Sequence, residues 1–187
     1  QVANYCHDNN YTLLTQWADA LISHGTLTED FSCFKEARDK LEEVLKIESE
    51  GVYAWVVMGD LFLEQAHYFS EENLFEEAVE TYRYVLSLDE DSLRAYEGLA
   101  KASMFWGELS QELTKFEKSI EYYQQCAKLS VLTPFFLNEW GSAYLKLAEI
   151  TNDRFHVEMA VQKLQQAMDI REEQGTPDAL LMYNYGC

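Results

Sequence analysis

Proline is almost absent, with two residues in a chain of 187. Proline removes a backbone donor and breaks helix interiors, so its scarcity leaves long helices unobstructed. Positive charge is scarce as well: 14 Lys and Arg stand against 33 Asp and Glu, a formal net charge of −19. That balance argues against duplex nucleic acid, which is bound by Lys and Arg that displace counterions. It also argues against an anionic membrane surface. No apolar run is long enough to span a bilayer, and no stretch has the pattern of a secretory leader. Cys6, Cys33, Cys126 and Cys187 show no paired spacing, which predicts reduced thiols in a cytoplasmic compartment. The eight glycines are scattered and form no phosphate loop. His7, His24, His67 and His156 lack metal-ligand spacing, and no nucleophile–base arrangement stands out. The expectation is a chain with no catalytic residue, no metal and no cofactor of its own. The sequence starts at Gln1 and stops at Gly186-Cys187, as expected of a piece cut from a longer protein.

Apolar residues are plentiful, at 48% of the chain with 14% aromatic, enough to bury a substantial core. They follow a strict register. A small residue recurs every 41 residues as Ala18, Gly59, Ala100 and Gly141, and once more as Gly186 after 45. A second small column, Ala37, Ala78, Ser119 and Ala160, keeps the same 41-residue interval, always 19 residues after the first. Four residues further on stand Leu41, Tyr82, Tyr123 and Leu164; three residues before stand Phe34, Phe75, Phe116 and Val157. Small residues mark close helix contacts and large ones fill the spaces between them. Trp17, Trp55 and Trp140 are expected to join that filling.

The stretch from Tyr53 to Asp91 carries the fullest version of the pattern. Trp55, Met58, Gly59 and Phe62 fall at the spacing W-x2-L-G-x2-Y, and Ala78 and Tyr82 at A-x3-F. It resembles a tetratricopeptide repeat, a helix–turn–helix unit of about 34 residues. The extra length, about 7 residues, lies between the two helices of each pair and amounts to nearly two helical turns. It is read as longer helices rather than a loose loop. The turns are then expected near Thr28-Glu29-Asp30, Ser70-Glu71-Glu72, Leu109-Ser110-Gln111 and Thr151-Asn152-Asp153, clusters rich in turn and capping residues. Asn9-Asn10 is expected to cap the first helix, and Gly51 to stop the second after Ile47.

The resemblance implies an all-α, right-handed helical solenoid of antiparallel helix pairs. Residues 1–10 form a lead-in. Repeats follow over 11–51, 52–92, 93–133 and 134–178, and residues 179–187 open a fifth. Gly175, Thr176 and Pro177 mark a longer turn before it. Repeat three departs most from the family pattern, with Ala100, Ser103 and Ser119 where Gly, Tyr and Ala are usual.

The resemblance also implies a function, protein–protein interaction as a scaffold or adaptor, with a peptide on the concave face. Its second, fifth, ninth and twelfth positions would line that face. They are Thr12, Thr15, Asp19 and Ile22; Tyr53, Val56, Asp60 and Leu63; Arg94, Glu97, Lys101 and Met104; and Phe135, Asn138, Ser142 and Leu145. Acids among apolar groups suggest a basic or mixed basic–apolar partner. The carboxylate clamp of chaperone co-factors of this fold is not matched, because Thr15, Asp19 and Glu97 stand at three of its positions and only Lys101 fits. Two alternatives are a secretion-type chaperone holding an effector segment and a non-catalytic region of a larger enzyme. Oligomeric state is not legible.

Overall fold

The computed structural model describes residues 2–174, with side chains from residue 10 onward. The described residues form eight α-helices: α1 (Val2–Thr28), α2 (Ser32–Ile47), α3 (Val52–Phe69), α4 (Glu72–Leu88), α5 (Leu93–Ser110), α6 (Leu113–Leu129), α7 (Pro134–Thr151) and α8 (Arg154–Glu173). The fold is an all-α helical repeat. The odd-numbered helices from α1 to α7 end at Thr28, Phe69, Ser110 and Thr151, each 41 residues after the last. The added length lies in the helices, for α3, α5 and α7 have 18 residues each, and two-residue turns follow them. No described helix is long and apolar enough to cross a membrane.

Each odd-numbered helix is stopped in the same way. Glu29, Ser70, Gln111 and Asn152 follow the last helical residues with φ of 57°, 55°, 59° and 50°. A left-handed residue turns the chain out of the helix and lets its N–H close the last turn. The amides of Gln111 and Asn152 do so, donating to the carbonyls of Gly107 and Ala148 at 2.8 Å. Each lies within or next to a cluster read from sequence as a turn.

The expected cap at Asn9-Asn10 does not form, because α1 runs through both residues. Nor does Gly51 stop α2: Glu48 takes that place, and Gly51 is the N-cap of α3 with an ordinary φ of −64°.

The chain divides into two compact units, residues 1–102 and 103–187, with the division inside α5. In the first unit α1 packs on α2 and α3, and α3 on α2 and α4. Its core joins Ala18, Phe34, Ala37, Leu41, Met58 and Leu61. In the second, α7 packs on α6 and α8. There Tyr123, Phe136 and Trp140 meet edge to face or stacked, with centroids 5.3–6.4 Å apart.

Both small columns, and the large column four residues on, are buried in all four helix pairs. Phe34, Phe75 and Phe116 are buried too, but Val157 in the same column is 44% exposed. Trp17 departs further. It is 49% exposed, with the Lys40 ammonium 4.6 Å from its ring centre, whereas Met58 and Trp140 in its column are buried. Met58 packs into a core that includes Ala37 and Leu41 of the preceding pair, and no described pair precedes Trp17. Leu13, one helical turn before Trp17, is also exposed. Cys33 and Cys126 are buried thiols, neither of them in a disulfide. The Cys6 and Cys187 side chains, the turn at 175–177 and the fifth-repeat residues lie outside what is described.

Candidate functional site

Three successive odd-numbered helices of the first unit bring polar side chains to one place. Asp19 comes from α1, Tyr53 and Asp60 from α3, and Arg94 from α5. The Arg94 guanidinium donates to Asp60 Oδ2 at 2.6 Å and stands 4.0 Å from Asp19 Oδ2. Tyr53 donates its hydroxyl to Asp19 Oδ2 at 3.3 Å, and its ring lies 5.6 Å from the Arg94 guanidinium carbon. Behind them the buried Tyr82 of α4 donates to Asp60 Oδ1 at 2.6 Å. Both Asp60 oxygens are thus engaged within the chain.

Electrostatics follow from that geometry. Burial pushes the Asp60 carboxyl above its ordinary value; the Tyr82 hydroxyl and Arg94 pull it back without cancelling the rise. Lost hydration opposes the Arg94 charge, but Asp60 and Asp19 outweigh it, so Arg94 holds its proton more firmly than usual. Burial, then the Asp60 charge, pushes the Tyr82 phenol well up; burial, then Asp19, raises Tyr53. Arg94 is a seated cation with a carboxylate on each side.

Beside this network a cleft of about 490 Å³ opens, with Arg94, Glu97 and Lys101 of α5 facing Asp19 and Ile22 of α1. Leu63 and Glu64 of α3 also line it, as do Thr26 and Leu27. The Thr26 hydroxyl donates to Glu64 Oε2 at 3.2 Å, linking the ends of α1 and α3. Asp19, Asp60, Glu64 and Glu97 outnumber Arg94 and Lys101, so the cleft carries a negative balance over an apolar floor of Ile22 and Leu63.

Of the residues expected to face a partner, Ile22 lies in the cleft, Thr12 and Phe135 are exposed and Leu145 is half-buried, and the rest separate into three groups. Asp19, Asp60, Leu63, Arg94, Glu97 and Lys101 line the cleft, with Tyr53 braced against it. Thr15 and Val56 are buried, and the Thr15 hydroxyl bonds back to the Tyr11 carbonyl at 2.9 Å. Met104, Asn138 and Ser142 belong to the second unit, where Met104 and Asn138 are buried and Ser142 is half-buried. Glu64, which lines the cleft, and Tyr82, which holds Asp60, are not among the expected positions. Glu64 stands one turn beyond Asp60, on the same helix face, which was a usable signal. Tyr82 occupies a column shared with Leu41 and Leu164, and a hydroxyl in such a column calls for a polar partner.

Helix pairs repeating at 41 residues, with side chains from successive first helices meeting at a cleft, define the class as an all-α helical-repeat protein. The sequence matches no family model and no curated protein. Among solved structures the chain is similar to the DHF58 filament, with 14% identity over 88% of this chain and 93% of that one and a TM-score of 0.44. It is also similar to the MamA protein, with 17% identity over 82% and 93% and a TM-score of 0.36. A third similar structure is Pseudomonas aeruginosa pilF, with 16% identity over 92% and 90% and a TM-score of 0.30.

Proposed function

We propose that the chain is a protein-interaction module of the tetratricopeptide kind that takes an extended, basic or mixed basic–apolar segment of a partner into the cleft of its first unit. The observation that carries this reading is the convergence of α1, α3 and α5 on one open cleft with excess carboxylate and an apolar floor. Carboxylates steer and orient a cationic segment, and apolar groups supply burial. Asp60 serves this site from behind. With both oxygens engaged it seats Arg94 and is not itself a contact. Glu64 and Glu97 are then the carboxylates that meet the partner, and Arg94 and Lys101 accept one acidic group in its register.

The test is Glu64→Lys combined with Glu97→Lys, which leaves the Asp60 network in place. An amidated peptide alternating Lys with Leu serves as the probe, measured by calorimetry at low and moderate salt. The double variant should bind about tenfold more weakly or worse. Unchanged affinity together with salt-insensitive binding would remove the cleft as the site.

A further inference from the structure

At the turn end of the first unit, Phe31, Tyr68 and Phe69 form a cluster that the repeat itself does not require. The Phe31 ring lies 4.0 Å from Tyr68 and 5.3 Å from Phe69, centre to centre, and 5.7 Å from the buried Phe34 that anchors it. Tyr68 and Phe69 meet edge to face at 5.2 Å. They remain 48% and 44% exposed.

The internal register shows which of these aromatics belong to the fold. Position 69 corresponds to Thr28, Ser110 and Thr151 in the other pairs. Each of those hydroxyls donates back to the carbonyl four residues earlier, at 2.7, 2.9 and 2.8 Å. The last helical residue before the left-handed turn is thus a small hydroxyl residue in three pairs and a phenylalanine in one. Position 31 corresponds to Glu72, Leu113 and Arg154, so an aromatic there is no part of the pattern either. Tyr68 corresponds to Leu27, Leu109 and Ile150, an apolar column exposed in every pair. Two aromatics have been added beside an apolar position already present, and they lie against each other.

The surroundings favour one kind of occupant. Exposed Glu29 and Asp30 precede Phe31, and exposed Glu71 and Glu72 follow Phe69, with Lys35 the cation one turn into α2. The Ser32 hydroxyl and amide bond to Asp30 and hold its carboxyl below the usual value. A second copy of this chain would bring another net charge of −19 to a carboxylate-bordered patch, and an anionic membrane would be repelled in the same way. We infer that Phe31, Tyr68 and Phe69 form a second docking surface, distinct from the cleft, for a partner segment that presents an aromatic or aliphatic side chain flanked by Lys or Arg. The apolar side chain would pack on the three rings while the flanking cations meet the acids at either side. Aromatic anchors of this kind carry a large share of interface energy.

The register supplies the test variant, because Phe69→Thr installs the residue that the equivalent positions use. The probe is an amidated peptide with one Trp between Lys residues, followed by calorimetry and by amide NMR shifts of the whole chain. Wild type should show shifts at 29–32 and 67–72. Phe69→Thr should keep its melting temperature and lose about tenfold or more in affinity. Glu29→Lys with Glu71→Lys should weaken the same probe, and a probe with Glu in place of Lys should not bind. The cleft variant, Glu64→Lys with Glu97→Lys, should leave the shifts at 29–32 and 67–72 intact, which separates this surface from the cleft. Undiminished binding by Phe69→Thr, or shifts confined to the cleft, would overturn the inference. So would a fall in melting temperature beyond about 4 °C, which would assign the ring to the fold. Self-association of the wild type that Phe69→Thr abolishes would also overturn it, since the occupant would then be a second copy.

Discussion

Tyr82 is enclosed by glycine on two sides. A methyl group added at Gly59 would lie 2.6 Å from its Cε1, and one added at Gly98 would overlap the ring. The ring is fully buried with its hydroxyl held by Asp60, so it cannot swing aside. Gly98→Ala should therefore cost about 1–3 kcal/mol in urea unfolding, like other overpacked contacts. Ser119 is the counterexample: its hydroxyl is buried without a hydrogen-bond partner where the other pairs have alanine. Ser119→Ala should raise stability by about 1 kcal/mol, as removal of an unmet polar group does. Asp60 gives a pH signature. Its carboxyl is raised by burial, offset in part by Tyr82 and Arg94, raised again by Asp19 and lowered by Lys101. A raised folded-state value contributes stability that is complete below the unfolded value of 3.8 and disappears as pH rises through the folded one. Wild type minus Asp60→Asn, measured by denaturation across that range, should therefore decline upward from about pH 3.8. A difference that grows with pH would mean that pairing with Arg94 outweighs burial.

The helix pairs owe their spacing to their ends. Four non-glycine residues occupy the left-handed region at the same register, although a side chain there costs about 1–2 kcal/mol and glycine is free of that penalty. Ser70→Gly and Gln111→Gly should each gain about 0.5–1 kcal/mol, after the larger chain entropy of glycine is subtracted. Asn152→Gly should be close to neutral, because asparagine tolerates this conformation. Equal gains at all three positions in thermal melts would mean that the turns are held by something other than backbone preference. The even-numbered helices begin differently: Asp153 accepts from the Phe155 amide at 2.9 Å, whereas Glu71 and Glu112 provide no side-chain cap. In α2 the Asp30 carboxylate, in register with Asp153, accepts from the Ser32 amide at 3.1 Å, so the Phe31 side chain has no capping role.

At the scale of the whole molecule, charge dominates. A net −19 repels itself in the compact state, and salt screens that repulsion over about 8–10 Å. Added sodium chloride should raise the melting temperature while it weakens the binding of a basic probe. A melting temperature that falls with salt would mean that the ion pairs around Arg94 and Lys146 outweigh the general repulsion. The two proposed surfaces share this charge but use different residues, which is why charge reversal at Glu64 and Glu97 and removal of the Phe69 ring can be read separately.

The 41-residue register was enough to place the helix pairs, their turns, the two small columns and the large column that begins with Leu41. A side chain that recurs at a helix contact in every pair is constrained by local geometry repeated four times, so Ala37, Ala78, Ser119 and Ala160 were legible as core in advance. Position counting also brought Asp19, Asp60, Arg94, Glu97 and Lys101 to one face. It did not reveal that Asp60 is engaged behind Arg94, that Thr15 and Val56 turn inward, or that Trp17 lies uncovered. Those depend on which neighbouring helix stands against each position, a long-range fact that no spacing within one helix contains. The aromatic cluster at Phe31, Tyr68 and Phe69 lies between the two: its departure from the register was visible in the sequence, but only the packing of two turns side by side made it a surface.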